Sequence, residues 1–234
     1  MNINSDKIVQ LADTDTIENL TSALSQRLIA DQLRLTTAES CTGGKLASAL
    51  CAAEDTPKFY GAGFVTFTDQ AKMKILSVSQ QSLERYSAVS EKVAAEMATG
   101  AIERADADVS IAITGYGGPE GGEDGTPAGT VWFAWHIKGQ NYTAVMHFAG
   151  DCETVLALAV RFALAQLLQF CYNQAGLAIS QASHWWCLYV QATMLQHRHN
   201  LRCLTAPLSI QAFQIFAVTS GKDRLAKTQP IFTR

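Results

Sequence analysis

Strand-like and helix-like segments alternate along the first 170 residues, and this alternation constrains the fold more than any other feature. Apolar and small residues at helical spacing predict helices over 16–32, 45–53, 69–76, 90–104 and 151–170. The apolar segments between them predict strands over 33–38, 61–67, 109–114, 129–138 and 141–148. Helices that alternate with strands form layered α/β domains, and the two adjacent last strands predict a hairpin and therefore a mixed sheet.

Acidic residues stand at the predicted starts of three helices. Asp15, Asp69 and Asp151 are therefore predicted N-caps, because a short polar side chain there can accept a backbone N–H of the first turn. Asp15 is followed three residues later by Glu18, the spacing of a capping box.

Charge divides the chain into two parts. Residues 1–170 hold 12 Lys and Arg against 20 Asp and Glu, whereas residues 171–234 hold 6 Lys and Arg against Asp223 alone. We therefore interpret 16–170 as the functional domain, 1–15 as an N-terminal extension and 171–234 as a basic tail. Short apolar stretches broken by glutamines predict that this tail packs poorly on the domain and exposes its largest apolar residues, Trp185, Trp186, Phe213 and Phe216.

Composition excludes several classes of protein. The formal net charge of −3 lacks the basic excess of a nucleic-acid binder, and no uninterrupted apolar run approaches the roughly 18 residues that a membrane span needs. The polar N-terminus has no apolar signal core, and the six cysteines form no CxxC pair. We therefore expect reduced thiols and a cytoplasmic protein that binds neither nucleic acid nor membrane.

Ser40 follows the first predicted strand at a strand-to-helix turn. Thr42, Gly43 and Gly44 come next, and free backbone N–H groups at such a turn can stabilise an oxyanion or hold a phosphate. A serine there can attack a carbonyl if a base takes its proton, but an ordinary N-cap serine fits the same position. Cys41 is an alternative nucleophile or a small buried hydrophobe.

Lys72 is a candidate base in the helix after the second predicted strand. A lysine acts as a base only where burial or a neighbouring cation lowers its pKa, and otherwise it is a solvated helix lysine. The loop 115–127 holds six glycines in thirteen residues, a density that indicates either close approach to a ligand or a flexible turn.

Familiar nucleotide and metal motifs do not fit this sequence. A Walker loop would need glycine at Glu39 and serine or threonine at Leu46, and a dinucleotide fingerprint starting at Gly115 would need glycine at Glu120. Four tail residues match no structural zinc spacing: Cys187, His197, His199 and Cys203.

Four motifs, in order, resemble those of the CinA C-terminal domain family, whose best-known members are nicotinamide-nucleotide amidohydrolases of the PncC type. The resemblance covers about 16–170, is closest to a shorter stand-alone paralogue and leaves the tail outside. The motifs are TAESCTGGKLA (37–47), GFVTFTDQAK (63–72), AVSEKVA (88–94) and AITGYGGPEGGEDGTPAGTVWFA (112–134).

The resemblance implies a three-layer α/β/α sandwich with a mixed sheet. It implies hydrolysis of the amide of nicotinamide mononucleotide to nicotinate mononucleotide and ammonia, without metal or cofactor, by a homo-oligomer whose partner is a small pyridine nucleotide. Ser40 would be the nucleophile and Lys72 its base or proton-shuttling partner. Substrate binding would fall to Thr42, Gly43, Gly44, Thr114, Gly115, Gly117 and Gly118.

Three positions depart from the family pattern. Family members usually carry tyrosine at Phe67 and arginine at Cys152 and Leu156. Phenylalanine cannot relay a proton, and two cations for an anionic substrate are missing. These departures predict weakened or lost activity, and the alternative is a catalytically silent paralogue that binds nucleotides or regulates.

Overall fold

The computed structural model describes residues 16–173 and 216–218. The helices in these residues are α1 (Ile17–Ala30), α2 (Lys45–Cys51), α3 (Thr56–Phe59), α4 (Asp69–Leu76), α5 (Gln80–Tyr86), α6 (Glu91–Ala105) and α7 (Cys152–Asn173). The strands are β1 (Leu35–Glu39), β2 (Tyr60–Val65), β3 (Val109–Gly115), β4 (Thr130–Ile137), β5 (Gln140–His147) and β6 (Phe216–Val218).

The strands form one mixed sheet in the order β2-β1-β3-β4-β5-β6. Strand β1 lies between β2 and β3 and is parallel to both, whereas β3, β4, β5 and β6 pair antiparallel. The predicted hairpin joins β4 to β5 through Lys138 and Gly139, which both have positive φ angles, as a tight two-residue hairpin requires. The predicted mixed sheet is confirmed.

The central strands carry large residues on one face and small residues on the other. Ile113 and Phe133 belong to the core cluster that includes residues of α1, α2 and α7. Ala112 and Ala134 belong to the second cluster, which includes residues of α4 and α6. Because small residues let a helix approach closely, the alternation gives each face its own helical layer. The predicted three-layer α/β/α sandwich is confirmed.

Two predicted N-caps are wrong and one is confirmed. Thr16 caps α1 by accepting the N–H of Asn19, while Asp15 lies outside the described residues. Thr68 caps α4, so that Asp69 is the first helical residue. At both sites a threonine is the neighbour of the aspartate: Thr16 follows Asp15, and Thr68 precedes Asp69. The threonine is the cap because its backbone is extended, as an N-cap requires. Asp151 accepts the N–H of Thr154 at 2.8 Å, as predicted.

Helix α7 is a core helix. Residues Cys152–Tyr172 are long and apolar enough to cross a membrane by length and composition, but 67% of the most apolar window is buried within the protein. Phe162 lies in the core cluster against Phe133, and Trp135 Nε1 donates to the carbonyl of Ala163 at 3.1 Å. The helix runs three residues past its predicted end at 170, since Cys171 is still buried.

The tail contributes a short strand to the sheet edge. In β6, residues 216–218 pair with 141–143 of β5. The aromatic residues Trp185, Trp186 and Phe213 lie outside the described residues, and so do the four tail residues tested for zinc spacing: Cys187, His197, His199 and Cys203. Poor packing of the tail therefore stays a prediction.

Candidate active site

Three strand ends meet at the carboxyl edge of the parallel strands. The N–H of Ser40, directly after β1, donates to the carbonyl of Ile113 in β3 at 2.9 Å. The N–H of Thr66, directly after β2, donates to the carbonyl of Glu39 at 2.8 Å. The loops that follow these strands therefore start side by side, which is where open α/β sheets place their ligands.

The carboxylate of Glu39 organises the turn that carries Ser40. This side chain is fully buried and accepts the backbone N–H groups of Gly44 at 3.0 Å, Leu46 at 3.1 Å and Ala47 at 2.8 Å. It thereby satisfies the first turn of α2, where an N-cap side chain would otherwise act. Gly44 is the N-cap residue and supplies no side chain, so the interpretation of Ser40 as an ordinary N-cap is wrong.

Lys72 is buried beside Ser40. Its side chain is 1% exposed, and Nζ lies 3.0 Å from Ser40 Oγ, 3.0 Å from the carbonyl oxygen of Thr66 and 3.1 Å from that of Phe67. Burial lowers the pKa of Lys72, and the nearby carboxylate of Asp69 opposes this shift. The interpretation of Lys72 as a solvated helix lysine is wrong.

The three oxygens around Nζ can be satisfied by the ammonium and by the neutral amine of Lys72. A protonated ammonium donates to all three oxygens, whereas a deprotonated amine has two N–H donors and one lone pair. The carbonyls of Thr66 and Phe67 accept both N–H groups of the amine, which leaves the lone pair for the hydroxyl of Ser40. In this state Ser40 donates its proton toward Lys72, the arrangement that activates a serine nucleophile.

Cys41 is not equipped to compete with Ser40. Burial raises the pKa of the Cys41 thiol to about 12, so the thiolate is scarce at neutral pH. Since the thiolate is the nucleophilic form, the structure favours the other interpretation of Cys41, a small residue packed against the core.

The N–H groups of the Ser40 turn divide into two sets. The N–H of Gly43 donates to the carbonyl of Ser40 at 3.2 Å, and that of Gly44 donates to Glu39. The sequence predicted that both would bind a ligand, but neither N–H is free to do so. The N–H groups of Cys41 and Thr42 donate to no oxygen among the described residues. Thr42 also has a buried hydroxyl without a partner in that part of the chain. Sequence reasoning missed the Cys41 N–H as a candidate donor.

The other predicted binding residues lie at the end of β3 and in the loop after it. The hydroxyl of Thr114 is fully buried and donates to the carbonyl of Ala88 at 2.8 Å, which is a structural contact. Gly115 pairs with Val131, and a Cβ atom there would lie 2.7 Å from the carbonyl oxygen of Thr130. Gly118 follows with a φ angle of 99°.

Gly117 lies against the first turns of α7. A Cβ atom at Gly117 would lie 3.0 Å from Cys152 Sγ and 3.1 Å from Leu156 Cδ2. The two uncharged residues that replace the expected arginines are thus next to the glycine-rich loop. Beside them, Lys45 Nζ forms an ion pair of 2.8 Å with Glu153 Oε1.

The same loop brings carboxylates near Tyr116. Burial raises the pKa of Tyr116, and the negative charges of Asp124, Asp69 and Glu123 raise it further. Gly122 lies directly against both the Tyr116 ring and the Asp124 carboxylate. Within residues 16–173, no group of three or more His, Cys, Asp or Glu side chains is placed to hold a metal ion.

Known proteins resemble this chain over the described domain. The model of the CinA C-terminal domain family matches residues 17–171. Protein YdeJ of Escherichia coli K12 is 99% identical over 169 residues, which are 72% of this chain and 98% of that protein. The nicotinamide-nucleotide amidohydrolase PncC of the same strain is 38% identical over 160 residues, 68% of this chain and 96% of that protein.

A solved structure matches the fold as well. The crystal structure of a competence-damaged protein (CinA) superfamily protein from Escherichia coli is 98% identical, with a TM-score of 0.68. The match covers 73% of this chain and 99% of that one.

Proposed function

Because the chain belongs to the CinA C-terminal domain family, we propose that it is a serine amidohydrolase that cleaves the carboxamide of a pyridine nucleotide. The observation that carries the proposal is the 3.0 Å contact between Ser40 Oγ and Nζ of the buried Lys72. The name of the PncC relative supplies the substrate class, a nicotinamide nucleotide.

The reaction follows from the position of the two groups. Ser40 Oγ attacks the carboxamide carbon while its proton moves to the neutral amine of Lys72. The resulting ammonium of Lys72 then protonates the amide nitrogen, so that ammonia leaves and an ester of Ser40 remains. Lys72 next takes a proton from the water that attacks the ester and passes it to Ser40 Oγ as the ester bond breaks. Ser40 and the neutral amine are thereby restored, and the pyridine carboxylic acid leaves as its carboxylate, with its proton released to solvent.

The negative charge that develops on the carbonyl oxygen needs donors. The N–H groups of Cys41 and Thr42 follow directly after the nucleophile and donate to no oxygen of the described chain. We assign them to the oxyanion, because backbone N–H groups next to a nucleophilic serine commonly take this role. The N–H groups of Gly43 and Gly44 serve the structure of the turn instead.

Nicotinamide mononucleotide is the substrate to test first, and we expect it to be turned over slowly. Next to Gly117 the chain presents Cys152 and Leu156, both uncharged. A charge-assisted hydrogen bond contributes about 1.5–3 kcal/mol, so two missing arginines reduce the affinity for a phosphate by orders of magnitude. The expected cytoplasmic location and homo-oligomeric state stay predictions.

A silent, nucleotide-binding paralogue is the second candidate function. It is favoured by Phe67, whose side chain is 72% exposed and has no hydroxyl to relay a proton. In this case the domain would bind pyridine nucleotides without releasing ammonia.

Ammonia release from nicotinamide mononucleotide and related pyridine amides, measured on the full chain, separates the two functions. We expect turnover that is lost in Ser40→Ala and Lys72→Met. The matched controls are Ser48→Ala in α2 and Lys74→Met in α4, both at exposed positions, and these variants should retain the activity. Turnover that survives in Ser40→Ala would exclude Ser40 as the nucleophile, and calorimetric binding without turnover would favour the silent paralogue.

A further inference from the structure

We propose that this site prefers an N-substituted nicotinamide cation without a phosphate group, such as the riboside, over the mononucleotide. The proposal rests on the amidohydrolase function proposed above and narrows its substrate class. It follows from the charges near the site and from an anion position that the Glu39 carboxylate already occupies.

The lysines next to the site are engaged by the protein. Lys45, the first residue of α2, is paired with Glu153 at 2.8 Å. Lys72 directs Nζ to Ser40 and to two backbone carbonyls. A phosphate monoester needs cations or backbone donors to replace its hydration; Lys72 is committed to three oxygens, and Lys45 would have to leave Glu153 to serve it.

The start of α2 would be the natural place for a phosphate, and Glu39 occupies it. Helix starts attract anions because their first N–H groups are unpaired. Here the Glu39 carboxylate already accepts three of these N–H groups, from Gly44, Leu46 and Ala47. A second anion at this position would meet a buried negative charge and no free donors from these three residues.

Three carboxylates lie close to this part of the site and act on Tyr116. Asp69 lies one helical turn before Lys72, and Asp124 and Glu123 lie in the loop around Tyr116. A close pair of unit charges in water changes the binding affinity by about fivefold. Carboxylates therefore weaken the binding of a phosphate and strengthen the binding of the positive pyridinium ring.

An exposed aromatic residue follows strand β2 and contacts Lys72 through its backbone. The carbonyl oxygen of Phe67 lies 3.1 Å from Lys72 Nζ, and its side chain is 72% exposed. Aromatic faces attract cations, and a planar pyridinium can stack on them. Such a ring would bind the pyridinium of the riboside and of the mononucleotide alike, so Phe67 supports the ligand class and not the preference between the two.

The test compares nicotinamide riboside with nicotinamide mononucleotide on the full chain. We expect kcat/KM for ammonia release to be about tenfold or more higher for the riboside. This estimate assumes that two or three of the carboxylates repel the phosphate of the mononucleotide. The preference should shrink at high salt, because salt screens exposed charges. An equal or higher kcat/KM for the mononucleotide would overturn the proposal.

Binding to Ser40→Ala separates the ligand class from the reaction. If the wild type hydrolyses neither compound but the riboside binds Ser40→Ala more tightly, the substrate class stands and the hydrolase function fails. If the mononucleotide binds as tightly as the riboside, or neither compound binds, the proposal is overturned.

Charge substitutions give a reciprocal test. Asp69→Asn with Asp124→Asn should move the substrate ratio toward the mononucleotide, and Asn keeps the turn acceptor that Asp124 presents to Thr126. The control is Glu103→Gln, an exposed acid near the end of α6 at the opposite end of the sheet. The ratio is the readout, since any effect of Asp69 on Lys72 acts on both substrates alike.

Adding a cation should act in the same direction. Cys152→Arg places a positive charge beside Gly117 and should raise kcat/KM for the mononucleotide selectively. Cys51→Arg adds the same charge at an exposed position at the far end of α2 and should leave the ratio unchanged. A ratio that responds to neither the acid nor the cysteine substitutions would contradict the proposal.

Discussion

Replacing Glu39 by glutamine should destabilise the domain and displace Ser40 at the same time. Glu39 Oε2 accepts the N–H groups of Gly44 and Leu46, and Oε1 accepts that of Ala47. The single amide oxygen of glutamine can serve only one side, so at least one N–H must face the NH₂ group. An unmade buried hydrogen bond costs about 1–3 kcal/mol, and the remaining bonds lose their charge assistance, about 1 kcal/mol each.

These terms predict that the free energy of unfolding falls by about 3–5 kcal/mol in Glu39→Gln. For a domain of this size each kcal/mol lowers Tm by about 2–4 °C, so Tm should fall by about 10 °C. Because Glu39 directly precedes Ser40, a looser turn misplaces the nucleophile, and kcat should drop by about tenfold to a hundredfold with KM little changed.

Urea unfolding followed by circular dichroism measures the stability, and ammonia release measures kcat. Glu103→Gln is the matched control, because this glutamate is exposed near the end of α6, and its stability should stay within about 0.5 kcal/mol of the wild type. A stability loss below about 1 kcal/mol in Glu39→Gln would refute the view that the three N–H bonds hold the turn.

Three further predictions concern the base, the cysteine and the tail. Since burial lowers the pKa of Lys72 and the neutral amine is the active form, kcat/KM should rise with pH and level off below the ordinary lysine pKa; Lys74→Met should leave this profile unchanged. Cys41→Ala should keep full turnover, because the thiol stays protonated at neutral pH and the backbone N–H is retained; loss of turnover would give the thiol a role. A chain ending at Asn173 should unfold at the same urea concentration as the full chain, since both core clusters consist of residues between 17 and 172; a lower midpoint would make the tail integral.

Much of the fold was predictable because the central strands are apolar and helices α1, α6 and α7 are long. Five strands, their mixed pairing and the main helices follow from that alternation. Helices α3 and α5 were not predicted. Helix α3 has only four residues with Pro57 in its first turn, and α5 is a short, mostly polar segment, so neither carries an apolar period. The choice of Thr16 and Thr68 as caps depends on backbone angles that sequence does not specify.

The candidate site was predictable only in its parts. Ser40 and Lys72 are 32 residues apart, and no spacing rule indicates that β1, parallel to β2, brings them within 3.0 Å. The burial of Lys72 was equally invisible, because a lysine in a short polar helix is usually solvated. Glu39 did carry a signal that went unused. A carboxylate at the end of an apolar strand is buried and therefore needs N–H donors. The glycine-rich turn that follows directly supplies such donors.

The reactivity proposed for Ser40 depends on how the turn satisfies its own hydrogen bonds. A serine at the start of a helix normally caps it, and its hydroxyl is then committed to a backbone N–H. Here Glu39 takes the N–H groups of α2, and Gly43 and Gly44, with φ angles of 57° and 98°, turn the chain so that Ser40 stands clear of the helix. The hydroxyl is therefore left for Lys72, and the N–H groups of Cys41 and Thr42 for the oxyanion. The capping of α2 by Glu39 is thus a precondition for the Ser40–Lys72 pair, because without Glu39 the serine would be needed as a structural cap.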